Sequence, residues 1–294
     1  MRRKKFKIQS KNYLFMGIVL AVLIAYTIFM FSILFFTVAT SLKFNPDYLI
    51  DPIGFSPLYF QNYKNAFSAF YQIVKNGKQV VYLGDMLLYS LIYALSCALG
   101  HMIVTSVMSY LVAKYKVWLN KFIYTTVIIA MVLPVVGALP SQIQMAKAFG
   151  LYNTLFGPCV MQSSYLGMYF LVFYATFKGL SDEYIEAATI DGAGQFTVML
   201  KIVFPLVKTS MFAVFVLLFI GYWNDYSTPL IYMFDYPTAA VGLFNFVYNP
   251  SQAGTATIPL RMAGCMILFL PIFLLFIFFK DIFMGNLTVG GLKG

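Results

Sequence analysis

Charge is what this chain has least of: Asp, Glu, Lys and Arg make up 10% of its 294 residues, against about 25% in soluble domains. With 61% hydrophobic residues and a mean hydropathy of +0.80, a soluble fold is excluded, and one helical membrane domain follows. Histidine occurs once, as His101, and cysteine three times, as Cys97, Cys159 and Cys265, about 60 or more residues apart. That spacing offers no zinc site, so the thiols read as buried apolar groups and the chain as binding no metal or cofactor of its own. No carboxylate pair and no nucleophile with a base can be assembled, which argues against a membrane-embedded enzyme. The Gly77-Lys78 pair is followed by Gln79 and lacks the glycine spacing of a phosphate loop, so energy must come from a partner or an ion gradient.

What is present is long apolar runs. A hydrocarbon core of roughly 30 Å asks for about 20 apolar residues per helix. Segments at about 14–40, 87–113, 122–146, 155–177, 206–223 and 262–279 meet or approach that, so the expected fold class is all-α, a polytopic protein with six transmembrane helices. The start, MRRKKFKIQSKNY, is followed by an apolar run, Leu14 to Ala39, too long for a signal peptide and without a clear cleavage site. It reads as an uncleaved first span. With the N-terminus inside, the cytoplasmic pieces hold Arg2, Arg3, Lys4, Lys5, Lys7, Lys11, Lys114, Lys116, Lys121, Lys178, Lys201, Lys208, Lys280 and Lys293, which is 14 of the 20 basic residues. Both ends are therefore expected in the cytoplasm: a basic N-terminus at 1–13, a transmembrane domain at 14–284 and a tail at 285–294. The net charge of +10 fits anionic lipid at the inner face, and nucleic acid need not be invoked.

That orientation makes residues 178–208 a cytoplasmic loop. Ser181 is placed to cap a helix whose first turn holds Asp182 and Glu183, where carboxylates suit the positive end of the helix dipole. Tyr184, Ile185 and Ala188 fall on one expected apolar face, and Glu183 and Glu186 share another. Gly192 and Gly194 are expected to end this helix. A second run, with Phe196, Met199, Leu200 and Val203 at helical spacing, is expected to bend at Phe204 because of Pro205. The small Ala187 and Ala188 admit a close partner surface, although a simple connector helix fits the same periodicity.

The order Glu186-Ala187-Ala188, three residues, Gly192, nine residues, Ile202, one residue, Phe204-Pro205 resembles the cytoplasmic-loop signature of permease subunits of ATP-binding cassette importers. Phe204 stands where that pattern usually has Leu. Further residues are similar to the second permease of the carbohydrate-uptake, maltose-type branch: AATIDGA in the loop, GYWNDYSTPLIYM at 221–233, GNLTVGGLKG at the end and, more loosely, SLKFNPDYLIDP with QNYKNAF. Tyr89-Ser90 and Lys280-Asp281 depart from the Asn-Ser and Gln-Arg pairs common there. The resemblance implies a type I importer permease in a prokaryotic cell membrane, paired with a second permease. It also implies two cytosolic ATPases that use ATP and Mg, and an extracytoplasmic solute-binding protein that delivers a sugar. Glu183, Glu186, Ala187, Ala188, Asp191, Gly192, Ile202 and Pro205 would then couple the loop to an ATPase.

Two questions stay open at this level. An ion-gradient-driven secondary transporter is the alternative machine, and a non-sugar cargo the alternative for the importer. Gradient coupling usually places ionisable residues or broken helices near mid-membrane, and His101 is the titratable candidate there, a residue type more often simply packed and hydrogen-bonded. Pro134, Pro140 and Pro271 interrupt spans, but kinks need no coupling role. Candidates for sugar contact are Trp223, Asn224, Asp225 and Tyr226 after the fifth span, with Gln142, Gln144 and Gln162 on or near the third and fourth. Interface anchoring explains the Trp and Tyr equally well.

Overall fold

The computed structural model describes residues 12–133, 137–248 and 256–287. The chain opens with α1 (Asn12–Ser41), followed by α2 (Asn45–Ile50), α3 (Gln61–Ala69) and an antiparallel hairpin of β1 (Tyr71–Val74) and β2 (Gln79–Tyr82). Next come α4 (Leu83–Lys114), α5 (Asn120–Val132), α6 (Leu139–Ala148), α7 (Gly157–Gln162) and α8 (Met168–Lys178). The expected loop contains α9 (Glu183–Ile190), α10 (Gln195–Val198), a π-helical turn (Met199–Val203) and α11 (Phe204–Leu206). The remainder is α12 (Lys208–Asn224), α13 (Ser227–Tyr232), α14 (Ala239–Tyr248) and α15 (Ile258–Leu287).

The helix α4 is the axis of the molecule. Its 32 residues, at about 1.5 Å each, are long enough to cross the hydrocarbon core with about three turns to spare. Ser90, Ala94, Ala98, Ser106 and Ser109 on it are small and buried, which lets α8 and α12 pack closely against it. One core joins these helices to the loop through Ala94, Ala98, Tyr110, Phe173, Phe177, Ala188, Val198, Met199, Val203, Val214 and Leu218. A second core lies at the opposite end of α4, where Phe70 and Phe246 (ring centroids 4.1 Å apart) pack with Val74, Val81, Met86 and Leu260. There Asn62 Nδ2 donates to Ser41 O and Lys43 O, fixing the turn out of α1. The Lys43 ammonium is folded inward onto Asp51 O and Pro52 O at 3.0 and 2.9 Å. By contrast α1 packs mainly on α15 and leaves its apolar side chains exposed, as a helix meant for lipid or another subunit does.

Three helices are long and apolar enough to span a membrane alone, within Phe15–Ser41, Leu83–Lys114 and Ile258–Lys280, and they coincide with the expected first, second and sixth spans. The expected third and fourth are each split. The third is α5 and α6, and the fourth is α7 and α8 with residues 163–167 non-helical between them. A carbonyl freed at that second break finds a partner on α4, because Thr105 Oγ1 donates to Ser164 O, and a turn further along α4 Ser109 Oγ donates to Phe170 O of α8, both at 3.1 Å. The fifth is α12, whose axis is bent by 79° from the Gln195–Leu206 segment before it. That bend falls at Val207 (φ −104°, ψ 9°), two residues after Pro205, whereas Phe204, expected to bend, is helical. Pro271, expected to interrupt its span, sits inside the continuous α15, Pro140 is in the first turn of α6, and Pro134 lies outside the described residues. The hairpin corrects the purely helical expectation. Its four-residue loop places Lys75, Asn76 and Gly77 at φ 52°, 55° and 85°, a conformation that Asn and Gly tolerate best.

Candidate functional site

The loop between α8 and α12 is a helix-turn-helix seated on the ends of α4, α8 and α12. Ser181 Oγ accepts the Glu183 N–H at 3.3 Å, the expected start. At the other end Ala193 N–H donates to Ala188 O and Gly192 N–H to Thr189 O, both at 3.0 Å, which makes the left-handed Gly192 (φ 82°) the helix stop. Gly194 does not end that helix; extended at φ −66° and ψ 152°, it opens α10.

Which side chains face inward differs from the expected faces. Ala188 is buried and Ile185 half-buried, but Tyr184 is 52% exposed. On the second leg Val198, Met199 and Val203 are buried, whereas Phe196 is 70% and Leu200 43% exposed. A π turn at Met199–Val203 takes more residues per turn than an α-helix and carries Leu200 off the expected face, whereas Tyr184 and Phe196 precede it and turn outward because Ile185, Ala188 and Val198 make the contacts with the core. The loop thus displays an exposed apolar set, Tyr184, Ile190 and Phe196, beside the exposed Glu183, Glu186, Ala187, Asp191 and Gly192. Ile202 is half-buried beneath them and Pro205 exposed beyond. Large apolar side chains displayed on a loop, rimmed by acids, are what a protein-docking surface looks like.

The last turn of α4 grips both legs of this loop. Lys114 Nζ, with its side chain 5% exposed, donates to Leu180 O at 2.6 Å and pairs with Asp182 Oδ1 at 2.5 Å. Tyr115 OH donates to Gln195 Oε1 at 2.6 Å, at the start of α10. In sequence Lys114 stands out only as a basic residue; its position facing Asp182 has no signal in either stretch alone.

The expected sugar contacts separate into two groups. Trp223 is buried, with Nε1 donating to Leu268 O at 3.0 Å, and Asn224 Nδ2 caps back to Ile220 O at 2.8 Å. Asp225 accepts from Tyr93 OH at 2.9 Å and from the N–H groups of Ser227 and Thr228, starting α13, while Tyr226 stacks on Phe244 with centroids 4.6 Å apart. Trp223 and Asp225 are thus engaged in holding the fold together, whereas Asn224 and Tyr226 are also exposed. Gln142 and Gln162 instead meet across a cavity of about 140 Å³ with Thr228 and Tyr232, and Gln144 is exposed nearby. His101 shares a 2.8 Å hydrogen bond with Tyr222 OH and meets Tyr169 edge-on. Cys97 and Cys159 touch, with sulfurs 3.2 Å apart, and Cys265 is half-buried. Among the described residues no group of three or more His, Cys, Asp or Glu is arranged for a metal.

A polytopic helical bundle carrying a built docking loop and broken spans has the form of a transport component. The family model for binding-protein-dependent transport system inner membrane components matches residues 102–288, and the chain belongs to that family. It is a multi-pass membrane protein. It is 24% identical over 285 residues, 96% of this chain and 90% of the relative, to the diacetylchitobiose uptake system permease protein NgcG of Streptomyces coelicolor. To the melibiose/raffinose/stachyose import permease protein MelC of Bacillus subtilis it is 25% identical over 87% of this chain and 88% of that one. The sn-glycerol-3-phosphate transport system permease protein UgpE of Yersinia pestis is 30% identical over 63% of this chain and 65% of its own length. The fold matches a chain of a bacterial ABC transporter involved in the import of the acidic polysaccharide alginate, with a TM-score of 0.71 at 18% identity, covering 94% of this chain and 99% of that one.

Proposed function

We propose that this chain is the membrane-spanning permease subunit of an ATP-driven ABC importer whose cargo is a sugar or oligosaccharide. The observation that carries the reading is the loop. It presents Tyr184, Ile190 and Phe196 outward while Ala188, Val198 and Val203 root it in the core shared with α4, α8 and α12, so a push on its surface moves the spans. In this reading six spans cross the membrane, the third and fourth broken, with both ends and the loop cytosolic. Residues 1–11 and 288–294, most of the expected basic N-terminus and tail, lie outside the described residues.

The chain binds no cofactor of its own and is not an enzyme; a cytosolic ATPase consumes ATP and Mg and docks on Glu183, Glu186, Ala187, Asp191 and Gly192. A second permease completes the pathway, and an extracytoplasmic binding protein delivers the cargo. The saccharide uptake named for NgcG and MelC supports the cargo class, and the uncharged span interiors agree, since an ionic cargo asks for a counter-charge along its path. UgpE, named for a phosphorylated polyol, makes the span interiors the discriminating feature. The test is to tag the chain, solubilise the membranes and identify what copurifies, and to delete the gene and measure uptake. An ABC ATPase and a second permease should copurify, and uptake of one saccharide should be lost. Loss of a peptide, ion or amino acid uptake instead would overturn the cargo.

A further inference from the structure

We propose that the cavity between Gln142, Gln162, Thr228 and Tyr232 is a cargo subsite that takes one ring of a neutral saccharide, a role that rests on the sugar-importer reading above. The cavity sits where three interruptions of helix converge: α6 beyond the break in the third span, α7 before the break in the fourth, and α13 just after the fifth. Discontinuous membrane helices are tolerated where they line a water-filled path, and they mark binding sites in transporters. Gln142 is exposed on α6, and an amide facing hydrocarbon is costly, so this side of the helix looks onto water or cargo.

The chemistry is neutral and hydroxyl-matching. Tyr232 OH donates to Gln142 Oε1 at 3.2 Å and Gln162 Nε2 to Thr228 Oγ1 at 3.3 Å, both longer than the usual 2.9–3.0 Å of N–H···O bonds and 2.7–2.8 Å of O–H···O bonds. The remaining amide groups of both glutamines have no further partner among the described residues, which leaves donors and acceptors for ring hydroxyls. Met145 and Met161 supply an apolar wall, and no Asp, Glu, Lys or Arg lines the space. At about 140 Å³ it is smaller than the roughly 300–1,000 Å³ of sites that enclose a drug-sized ligand, which suits one sugar unit of a longer chain in transit.

Cells expressing the complete transporter test this in two steps. Labelled raffinose, diacetylchitobiose and arabinotriose are first screened for the sugar whose uptake is lost when this chain is deleted; loss of none overturns the sugar reading and the subsite with it. For the sugar found, Gln142→Ala and Gln162→Ala should each lower the maximal uptake rate roughly three- to tenfold. The half-saturating concentration, set by capture outside the membrane, should hold. Tyr232→Phe, which removes only the hydroxyl, replaces either variant that fails to reach the membrane. In parallel, Met161→Cys should react with a membrane-impermeant thiol reagent more slowly when that sugar is present. Wild-type uptake in the variants, or a modification rate blind to the sugar, overturns the subsite while leaving the importer standing.

Discussion

At the scale of single residues, the side chains that lock the helices together meet across long stretches of chain. His101 was legible as a packed histidine because a lone ionisable group inside a span needs a partner, yet that partner, Tyr222, is 121 residues away. The contact of Cys97 with Cys159 and the grip of Lys114 on the loop are of the same long-range kind. Lys114–Asp182 is the ion pair among the described residues, and Asp182 is 71% exposed, so its contribution to stability is at most about 1 kcal/mol. Its value is positional. Replacing Lys114 with Met keeps the stem and removes the charge that ties α4 to Leu180 O and Asp182. The variant should reach the membrane at normal abundance but hydrolyse more ATP per sugar imported, and Lys114→Arg should restore the ratio; an unchanged ratio in Lys114→Met would reduce the pair to surface decoration. Gly157 offers a sharper case. A Cβ there would lie 1.8 Å from Leu151 O, a backbone atom that cannot swing away. Gly157→Ala should therefore destabilise the turn into α7 by about 1–3 kcal/mol, visible as a lower Tm of the purified complex.

At the scale of elements, the loop's existence and its stop at Gly192 could be read from the chain, whereas its inward face could not, because contacts with distant helices choose which apolar residues turn in and, on the second leg, a π turn breaks the α period as well. The hairpin was missed although VKNGKQVV carries an Asn-Gly turn signal between alternating apolar residues; the surrounding apolar runs masked it. The corrected faces change what mutations of the loop report. Ala188 belongs to the chain's own core, so Ala188→Asp buries a charge and should lower the Tm of this subunit before any partner is involved. Ala187 is the exposed alanine, and Ala187→Asp should leave the subunit folded while the ATPase no longer copurifies. Gly192→Val forces a β-branched side chain to φ 82°, at a cost of roughly 1–2 kcal/mol, and should lose sugar-stimulated ATP hydrolysis. Normal hydrolysis and uptake in both Ala187→Asp and Gly192→Val would make the loop a connector only.

At the scale of the whole molecule, hydropathy matched the three helices long and apolar enough to span a membrane but could not see that the segments 122–146 and 155–177 are broken, since their apolar content is the same whether or not the backbone is helical throughout. Orientation rests on a different physical quantity, the excess of basic residues retained on the cytosolic side during insertion. The structure makes that expectation testable at two exposed positions. Lys64 lies on α3, beside the hairpin and the core at one end of α4, and Gln195 begins α10 at the other end. With α4 as a span, the two positions are expected on opposite sides of the membrane whichever way the protein is inserted. Of the three native thiols, Cys97 and Cys159 are buried, so replacing Cys265 leaves little background for labelling. A cysteine at 64 should be modified by an impermeant reagent in intact cells, and a cysteine at 195 only after the cells are opened. Labelling of 195 from outside would invert the topology and place the loop where no cytosolic ATPase can reach it. Labelling of both positions from outside would show instead that α4 does not span the membrane.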